Sequence, residues 1–504
     1  MTIDKQPAGV DRRSILRAGG LAAGAAVFGG TAFQVLTARA AQAAPAAAQA
    51  RPGANVDYGP IAAAAALNTG EQWLALPAGF EYTILTKTGT PMSDGALTPR
   101  AHDGMGSFGR RGGTTRLICN HEVRFGGNPR TQGTFTIDGA GSYDPSAGGG
   151  TTSIDFDPRG FRTPSGGKVR DFVSMRGSVV NCAGGVSFRE SGWLTSEEIV
   201  QGPGSTPPTE QRHGYNFLVP VDTETAVTPQ PLVAMGRFPH EAAAVDQRTG
   251  IVYETEDAGS GVGSGFYRFL PVDPADLAKG GELQMLAVKG KPQADLREGQ
   301  RQGVPLPVEW VTITEPDPAG ANDVFSEGFA KGGSKFNRLE GCWEGDGSIF
   351  FASTSGGDVK NGDVNSDGFA EGYGQIWEYK PRGRSGGQLA LLFESPDGDV
   401  LDSPDNIVVT PRGGILICED DASSANAGQN DESRFFGEDK NRLVGLTMRG
   451  ESFIFGENIL NEAEFAGACW SRDGEFLFVN IYGEDVEGTG GTMAITGPWE
   501  RGAL

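Results

Sequence analysis

Carboxylates recur in this chain at the free ends of strand–turn–strand patterns. In "SPDNIVVTPRGGILICED", residues 403 to 420, Asp405 opens one strand and Glu419 and Asp420 close the next. "PHEAAAVDQRTGIVYETED" repeats the arrangement with Glu241 first and Glu256 and Asp257 last. Glu340 opens "LEGCWEGDGSIFFASTS", whose second strand ends in Ser and Thr, and Glu464 opens "EFAGACWSRDGEFLFVNIYGED". Two further stretches fit more loosely. "NCAGGVSFRESGWLTSEE" puts Cys182 first and Glu197 and Glu198 last, and "HDGMGSFGRRGGTTRLICNHE" puts His102 and Asp103 first and Asn120 and Glu122 last.

In a hairpin the start of the first strand lies beside the end of the second, so a fold that gathers these hairpins around one axis gathers their acids at one mouth. Two carboxylates about 4 Å apart repel by roughly 4 kcal/mol at an effective dielectric near 20, so several together protonate, spread apart or bind cations. Oxygen ligands in a chain with four histidines favour Ca²⁺, Mg²⁺ or Fe³⁺ over a His-rich zinc site. A thiolate from Cys182 at the same repeat position suits iron or another softer metal; the alternative is a small residue chosen for turn geometry. Arg338 stands two residues before Glu340, where it serves either as a structural ion pair or as a bidentate clamp for an anionic substrate. "DVNSDG" (363–368) has the spacing of a calcium loop, but Gly374 occupies the position of the bidentate glutamate, so a peripheral Ca²⁺ and a plain acidic turn both stay open.

The elements that must position these residues are strands. After four of the hairpins come two more strand-like runs: "YNFLVPVD" and "PLVAMG", "GFYRFLPVD" and "LQMLAV", "GQIWEYKP" and "LALLFES", "RLVGLTMRG" and "SFIFGEN". Four strands per unit, six times over, predict an all-β, six-bladed β-propeller with loop insertions. The long interval from Glu241 to Glu340 marks one insertion, and "FEYTILTKTG" is expected to supply a strand that closes the ring. With 78 glycines and little helical periodicity, the 504-residue composition agrees.

Residues 1–43 carry twin arginines, Arg12 and Arg13, before an Ala/Gly-rich apolar run and small-residue cleavage sites, the pattern of a twin-arginine export signal rather than a membrane anchor. An Ala-rich flexible linker is expected over 44–70 and a single propeller domain over 71–504. The expected destination is the periplasm, the cell surface or the medium. The net charge of −22 disfavours nucleic acid, and no later stretch predicts stable membrane insertion. Five cysteines do not form a disulfide framework in a chain this long. No nucleophile elbow or phosphate-binding glycine loop is present, which leaves metal-assisted hydrolysis as the natural reaction class.

The ordered set "NCAGG…GWLTSEE", "GRFPHEAAAV", "RLEGCWEGDGSIFFAST", "GQIWEYKP", "SPDNIVV" and "SRDGEFLFVNI", together with the leader, resembles the PhoX-type alkaline phosphatases from about residue 70 to 490. The resemblance implies a phosphomonoesterase active at alkaline pH outside the cytoplasm, with Fe³⁺ and Ca²⁺ at the channel mouth. Its partners would be a small phosphate-ester substrate and the twin-arginine export machinery. By motif, Cys182 corresponds to an iron ligand, Glu241 and Glu340 to metal-binding glutamates, and Arg338 to the arginine that contacts phosphate. Asp257, with Glu256 as alternate, Glu122, Glu198, Asp405, Glu419 and Glu464 are the further expected ligands, and Asn120 is grouped with the catalytic residues. "SFRESGWLT" departs from the family's Pro-Trp-Gly-Thr-Trp-Leu-Thr run, and Arg189 and Glu190 there are expected to reshape the pocket. The rival readings are a propeller phosphodiesterase, phytase or lactonase using calcium alone, and a non-catalytic calcium-binding surface propeller.

Overall fold

The computed structural model describes residues 57–123, 135–137, 139–258, 261–420, 441–447 and 449–504. The expected leader and the first part of the expected linker lie outside the described residues.

The hairpins that carry the acids all form. They are β1 (His102–Gly109) with β2 (Thr115–His121), β3 (Asn181–Val186) with β4 (Gly192–Glu197), and β5 (His240–Val245) with β6 (Val252–Glu256). Along the rest of the chain follow β7 (Leu339–Gly345) with β8 (Ser348–Ser353), β9 (Pro404–Val409) with β10 (Ile415–Glu419), and β11 (Phe465–Trp470) with β12 (Leu477–Ile481). Outer strands extend each pair into an antiparallel sheet. Gly149–Phe156 and Lys168–Ser178 extend β1–β2, and Arg442–Leu446 and Ser452–Asn458 extend β9–β10.

The first strands stand side by side, β1 next to β3, then β5, β7, β9 and β11, and β11 returns to β1. The sheets therefore radiate from one axis in a propeller-like, all-β arrangement. Apolar faces of neighbouring sheets fill the space between them. Val408, Leu416 and Leu443 of one sheet, for example, share a core with Phe465, Leu477 and Val479 of the next. The expected closing strand is present: Glu81–Ile84 pairs antiparallel with Gly491–Thr496, Met493 opposite Ile84 and Thr496 opposite Glu81.

Two expectations need correction. The expected linker ends before residue 70, because Ile61–Ala64 pairs with Leu74–Pro77 and Tyr58 packs its ring against Phe80 and Phe455. "PLVAMG" is not a strand. Leu232 gives one backbone bond to Asn216, and Val233–Met235 then turn as a short 3₁₀ segment, since Pro231 cannot donate to a ladder. In the insertion after β6, Leu306–Thr312 pairs both with Gly281–Val288 and with Gly386–Glu394, fusing two sheets into one.

Candidate metal centre

Each of these hairpins begins with the same irregularity. The first strand advances three residues while its partner advances two. His102 faces His121 and then Met105 faces Cys119, and Asn181 faces Glu197 and then Gly184 faces Thr195. His240 faces Glu256 and then Ala243 faces Glu254, while Leu339 opposite Ser353 gives way to Cys342 opposite Phe351. Pro404 faces Glu419 and then Ile407 faces Ile417, and Ala466 opposite Asn480 is followed by Cys469 opposite Phe478. A one-residue bulge of this kind bends the strand and re-aims a side chain. The residue it releases is Asp103, Cys182, Glu241, Glu340, Asp405 or Gly467. Behind it stands Gly or Ala in every hairpin but one, where Asn406 follows Asp405, because adjacent first strands approach closely there. A Cβ on Gly341 would lie 2.5 Å from the Asp405 carbonyl oxygen.

The released side chains converge. Ligand atoms within 4.8 Å of one another occur in the sets Asp103–Glu122–Cys182, Cys182–Glu198–Glu241, Glu241–Glu340–Asp405 and Asp405–Asp420–Glu464. Because the sets share Cys182, Glu241 and Asp405, they form one continuous run of ligands across the mouth.

Its electrostatics are those of a site short of positive charge. Burial first, and the neighbouring carboxylates second, hold Asp103, Glu241, Glu340 and Glu464 well above the usual carboxylate range and push Asp405 up to about 8. Both carboxylate oxygens of Glu241 are buried with no hydrogen-bond donor among the described residues, as is one oxygen of Asp103. A buried carboxylate without donors is costly unless it is protonated or bound to a cation. The Cys182 thiol donates to a Glu198 oxygen at 3.0 Å and is likewise held in its neutral form by burial and by surrounding acids. Cations placed among these ligands would satisfy every one of these groups, so the residues present fit a multinuclear metal centre.

Arg338 is the described cation at the rim. Its Nη2 donates to Asp257 at 2.8 Å and to Glu340 at 2.9 Å, and its side chain stays 32% exposed. Burial opposes its charge, but these two carboxylates outweigh that and hold it firmly protonated.

The structure sorts the acidic doublets at the ends of the second strands. Glu198, Asp257 and Asp420 turn to the mouth, and the acid before each turns away to lock its own sheet. Glu197 accepts from the amides of Val179, Gly214 and Tyr215 and from His213 Nδ1 at 2.7 Å. Glu256, an expected alternate ligand, instead accepts from the Tyr267 hydroxyl at 2.6 Å and the Gly265 amide at 2.9 Å. Glu419, expected as a ligand, is instead clasped by the Arg442 guanidinium and the Asp402 amide. Strand alternation decides these cases, since side chains of consecutive residues leave on opposite faces.

Other placements also differ from expectation. Asn120 is buried, with its amide donating to the carbonyls of Cys182 and Ala183 at 2.8 and 2.7 Å and its oxygen accepting from Trp193 Nε1 at 2.9 Å. Its polar atoms are spent on holding the Cys182 backbone, so it is not placed to touch a substrate. Glu464 reaches the centre from just before β11, while the true repeat position holds Gly467. Arg189 and Glu190 lie in the turn of the β3–β4 hairpin, the end away from the mouth, and do not shape it. In the calcium-like loop Asp367 pairs with Arg297 at 2.7 Å, and no set of three metal-ligating side chains forms there among the described residues. Asp103 and Asp420 are ligand candidates that motif matching leaves out of the expected set. The signal for both is positional: Asp103 follows the first paired residue of β1, and Asp420 follows the last paired residue of β10.

Comparison with known proteins bears on this geometry. The family model for alkaline phosphatase PhoX matches residues 56–485. The structure of Pseudomonas fluorescens PhoX in complex with vanadate, a transition state analogue, superposes with a TM-score of 0.62 at 17% identity. That alignment covers 90% of this chain and 99% of the other and shows a shared fold. A gluconolactonase from Xanthomonas campestris matches at 10% identity over 89% of this chain and 99% of its own, with a TM-score of 0.40, a likeness on which nothing rests. A search of curated protein sequences finds no match. The family match spans most of the chain, and the chain therefore belongs to the alkaline phosphatase PhoX family of phosphoric monoester hydrolases.

Proposed function

We propose that this chain is an exported alkaline phosphomonoesterase whose six-bladed propeller holds Fe³⁺ and Ca²⁺ at its mouth. The observation that carries the reading is Glu241, a buried carboxylate with both oxygens unpartnered among the described residues and within 4.8 Å of ligand atoms from Cys182, Glu198, Glu340 and Asp405. The neighbour order of the six first strands, each of which carries one hairpin to the axis, supports the six-blade reading. The twin arginines of the leader support export, and among the described residues no helix is long and apolar enough to cross a membrane.

Asp103, Glu122, Cys182, Glu198, Glu241, Glu340, Asp405, Asp420 and Glu464 would hold the ions, with Cys182 on the iron side of the set. Bound there, the cations would neutralise a phosphate ester and act as Lewis acids toward it. The chain's own contribution is Arg338. Only its Nη2 is engaged in the hydrogen bonds described, which leaves Nε and Nη1 for a non-bridging phosphoryl oxygen. Asp257 and Glu340 tether that guanidinium from one side and keep it charged at alkaline pH.

Elemental analysis of the purified protein, expressed with its leader intact, tests the reading. Iron together with calcium, and turnover of phosphomonoesters that Arg338→Ala depresses at unchanged metal content, are the expected results. Calcium without iron would point instead to a calcium-only hydrolase or, with no turnover, to a binding module. Unaltered turnover in Arg338→Ala would remove that residue from the mechanism.

A further inference from the structure

The acidic segment 363–371, with its calcium-like spacing, holds no candidate metal set, yet it reaches the centre by another route. Asn337, immediately before Arg338, is 1% exposed. Its Nδ2 donates to the Ser355 hydroxyl at 2.8 Å and carbonyl at 3.3 Å, and to Glu371 at 3.4 Å. Its Oδ1 accepts from Asn365 Nδ2 at 2.8 Å, and its carbonyl accepts from the Ser353 hydroxyl at 2.5 Å. Asn365 and Glu371 both belong to the acidic segment, so the residue before the arginine is bound to the segment by its side chain.

The following backbone needs that support. Arg338 has φ +42°, in the left-handed region that a long side chain rarely adopts and that persists only where the surroundings over-determine it. The segment is itself held firmly. Lys360–Val364 pairs with Ala370–Gly372, Asp367 pairs with Arg297, and the Phe369 ring carries the Arg297 guanidinium at 4.3 Å and the Lys360 ammonium at 4.6 Å. Its tip rests on the chain just beyond Asp257, the other partner of Arg338. A Cβ on Gly261 would lie 1.7 Å from the Ser366 hydroxyl oxygen.

We infer that the hairpin Lys360–Gly372 is a brace that fixes the strained backbone of Arg338 through the Asn365–Asn337 contact, and that both asparagines are positioning residues for phosphate binding. This rests on the proposed role of Arg338. The brace sets the direction of the guanidinium without touching the substrate. An acidic loop that reads as a cation site thus acts on anion recognition.

The test uses the full-length, metal-loaded protein in six forms: wild type, Asn365→Ala, Asn365→Asp, Arg338→Ala and the two double variants. Asn365→Asp keeps the size of the side chain and removes the donor. Kcat/KM on p-nitrophenyl phosphate, the inhibition constant of inorganic phosphate, metal content and melting temperature are measured for each. Both Asn365 variants should lower kcat/KM about tenfold and weaken phosphate inhibition by a similar factor, at unchanged metal content. In the Arg338→Ala background neither should have any further effect. Full kcat/KM in both Asn365 variants beside an impaired Arg338→Ala would overturn the brace. So would an equal loss in the Arg338→Ala background, since the effect would then bypass the arginine. An Arg338→Ala protein with wild-type kinetics would instead overturn the role of Arg338, and the purpose of the brace with it.

Discussion

Glu256 and Asp257 are neighbours in the chain that serve opposite sides of a sheet: Glu256 accepts from the Tyr267 hydroxyl at 2.6 Å, and Asp257 accepts from Arg338 at 2.8 Å. Burial pushes the Glu256 carboxyl up to about 8, which favours its neutral form near pH 7. Glu256→Gln should therefore cost less than about 1 kcal/mol of stability and leave turnover intact. Asp257→Asn, by loosening the guanidinium, should depress turnover. Steady-state kinetics and denaturant unfolding of the two variants separate the roles, and equal kinetic losses would contradict the assignment.

The next doublet behaves alike, with a larger structural component. Glu419 is 1% exposed and is clasped by Arg442. Glu419→Gln leaves a buried guanidinium poorly compensated and should destabilise the protein by about 3 kcal/mol, read as a lowered denaturation midpoint at unchanged metal stoichiometry. Asp420→Asn should show the reverse, with lost metal and little change in the stability of the metal-free chain.

Cys182→Ser would replace a soft candidate ligand by a hard one at the junction of two candidate sets. Iron content should fall more than calcium content, and elemental analysis reads the ratio directly. A serine variant with its full complement of iron would take the thiolate out of the ligand set.

His213 supplies a pH-dependent contribution through the acids that lock its sheet. It lies between Glu197 at 2.7 Å and Asp144 at 3.2 Å, and all three side chains are buried. Burial alone would lower its pKa, but the two carboxylates outweigh it and raise it to about 9. The folded value lies above the unfolded one near 6.5, so this stabilisation is complete below pH 6.5 and lost as pH rises through 9. It amounts to about 3 kcal/mol. The stability difference between wild type and His213→Gln should shrink across that interval, and a difference that stays constant from pH 6 to pH 10 would refute the ion sandwich.

The hairpins were legible because two-residue alternation, Gly-containing turns and repetition are local signals. Glu241, Glu340 and Asp405 could be found for the same reason, since each sits one residue into a strand whose start the pattern marks. Which acid of a doublet faces the mouth was not legible from composition, because a one-residue shift in register exchanges the two faces. The partners that claim the other acid, Tyr267 and Arg442, come from the third strand of the sheet and carry no local mark. Glu464 shows the limit most clearly. Its spacing from Asp405 imitates the repeat, yet the bulge in its hairpin falls at Gly467, so it joins the cluster from a neighbouring position. Likewise the calcium-like spacing of 363–368 says nothing of Arg297, which neutralises Asp367 from 70 residues away in the chain.

The pairing of Glu81–Ile84 with Gly491–Thr496 sets an order of events in biosynthesis. The circle of sheets has no join until Gly491–Thr496 has been made, because that strand fastens it to Glu81–Ile84. The candidate ligands, from Asp103 through Glu464, all precede that strand in the chain. A chain cut short of that strand would carry every candidate ligand on an open circle of sheets.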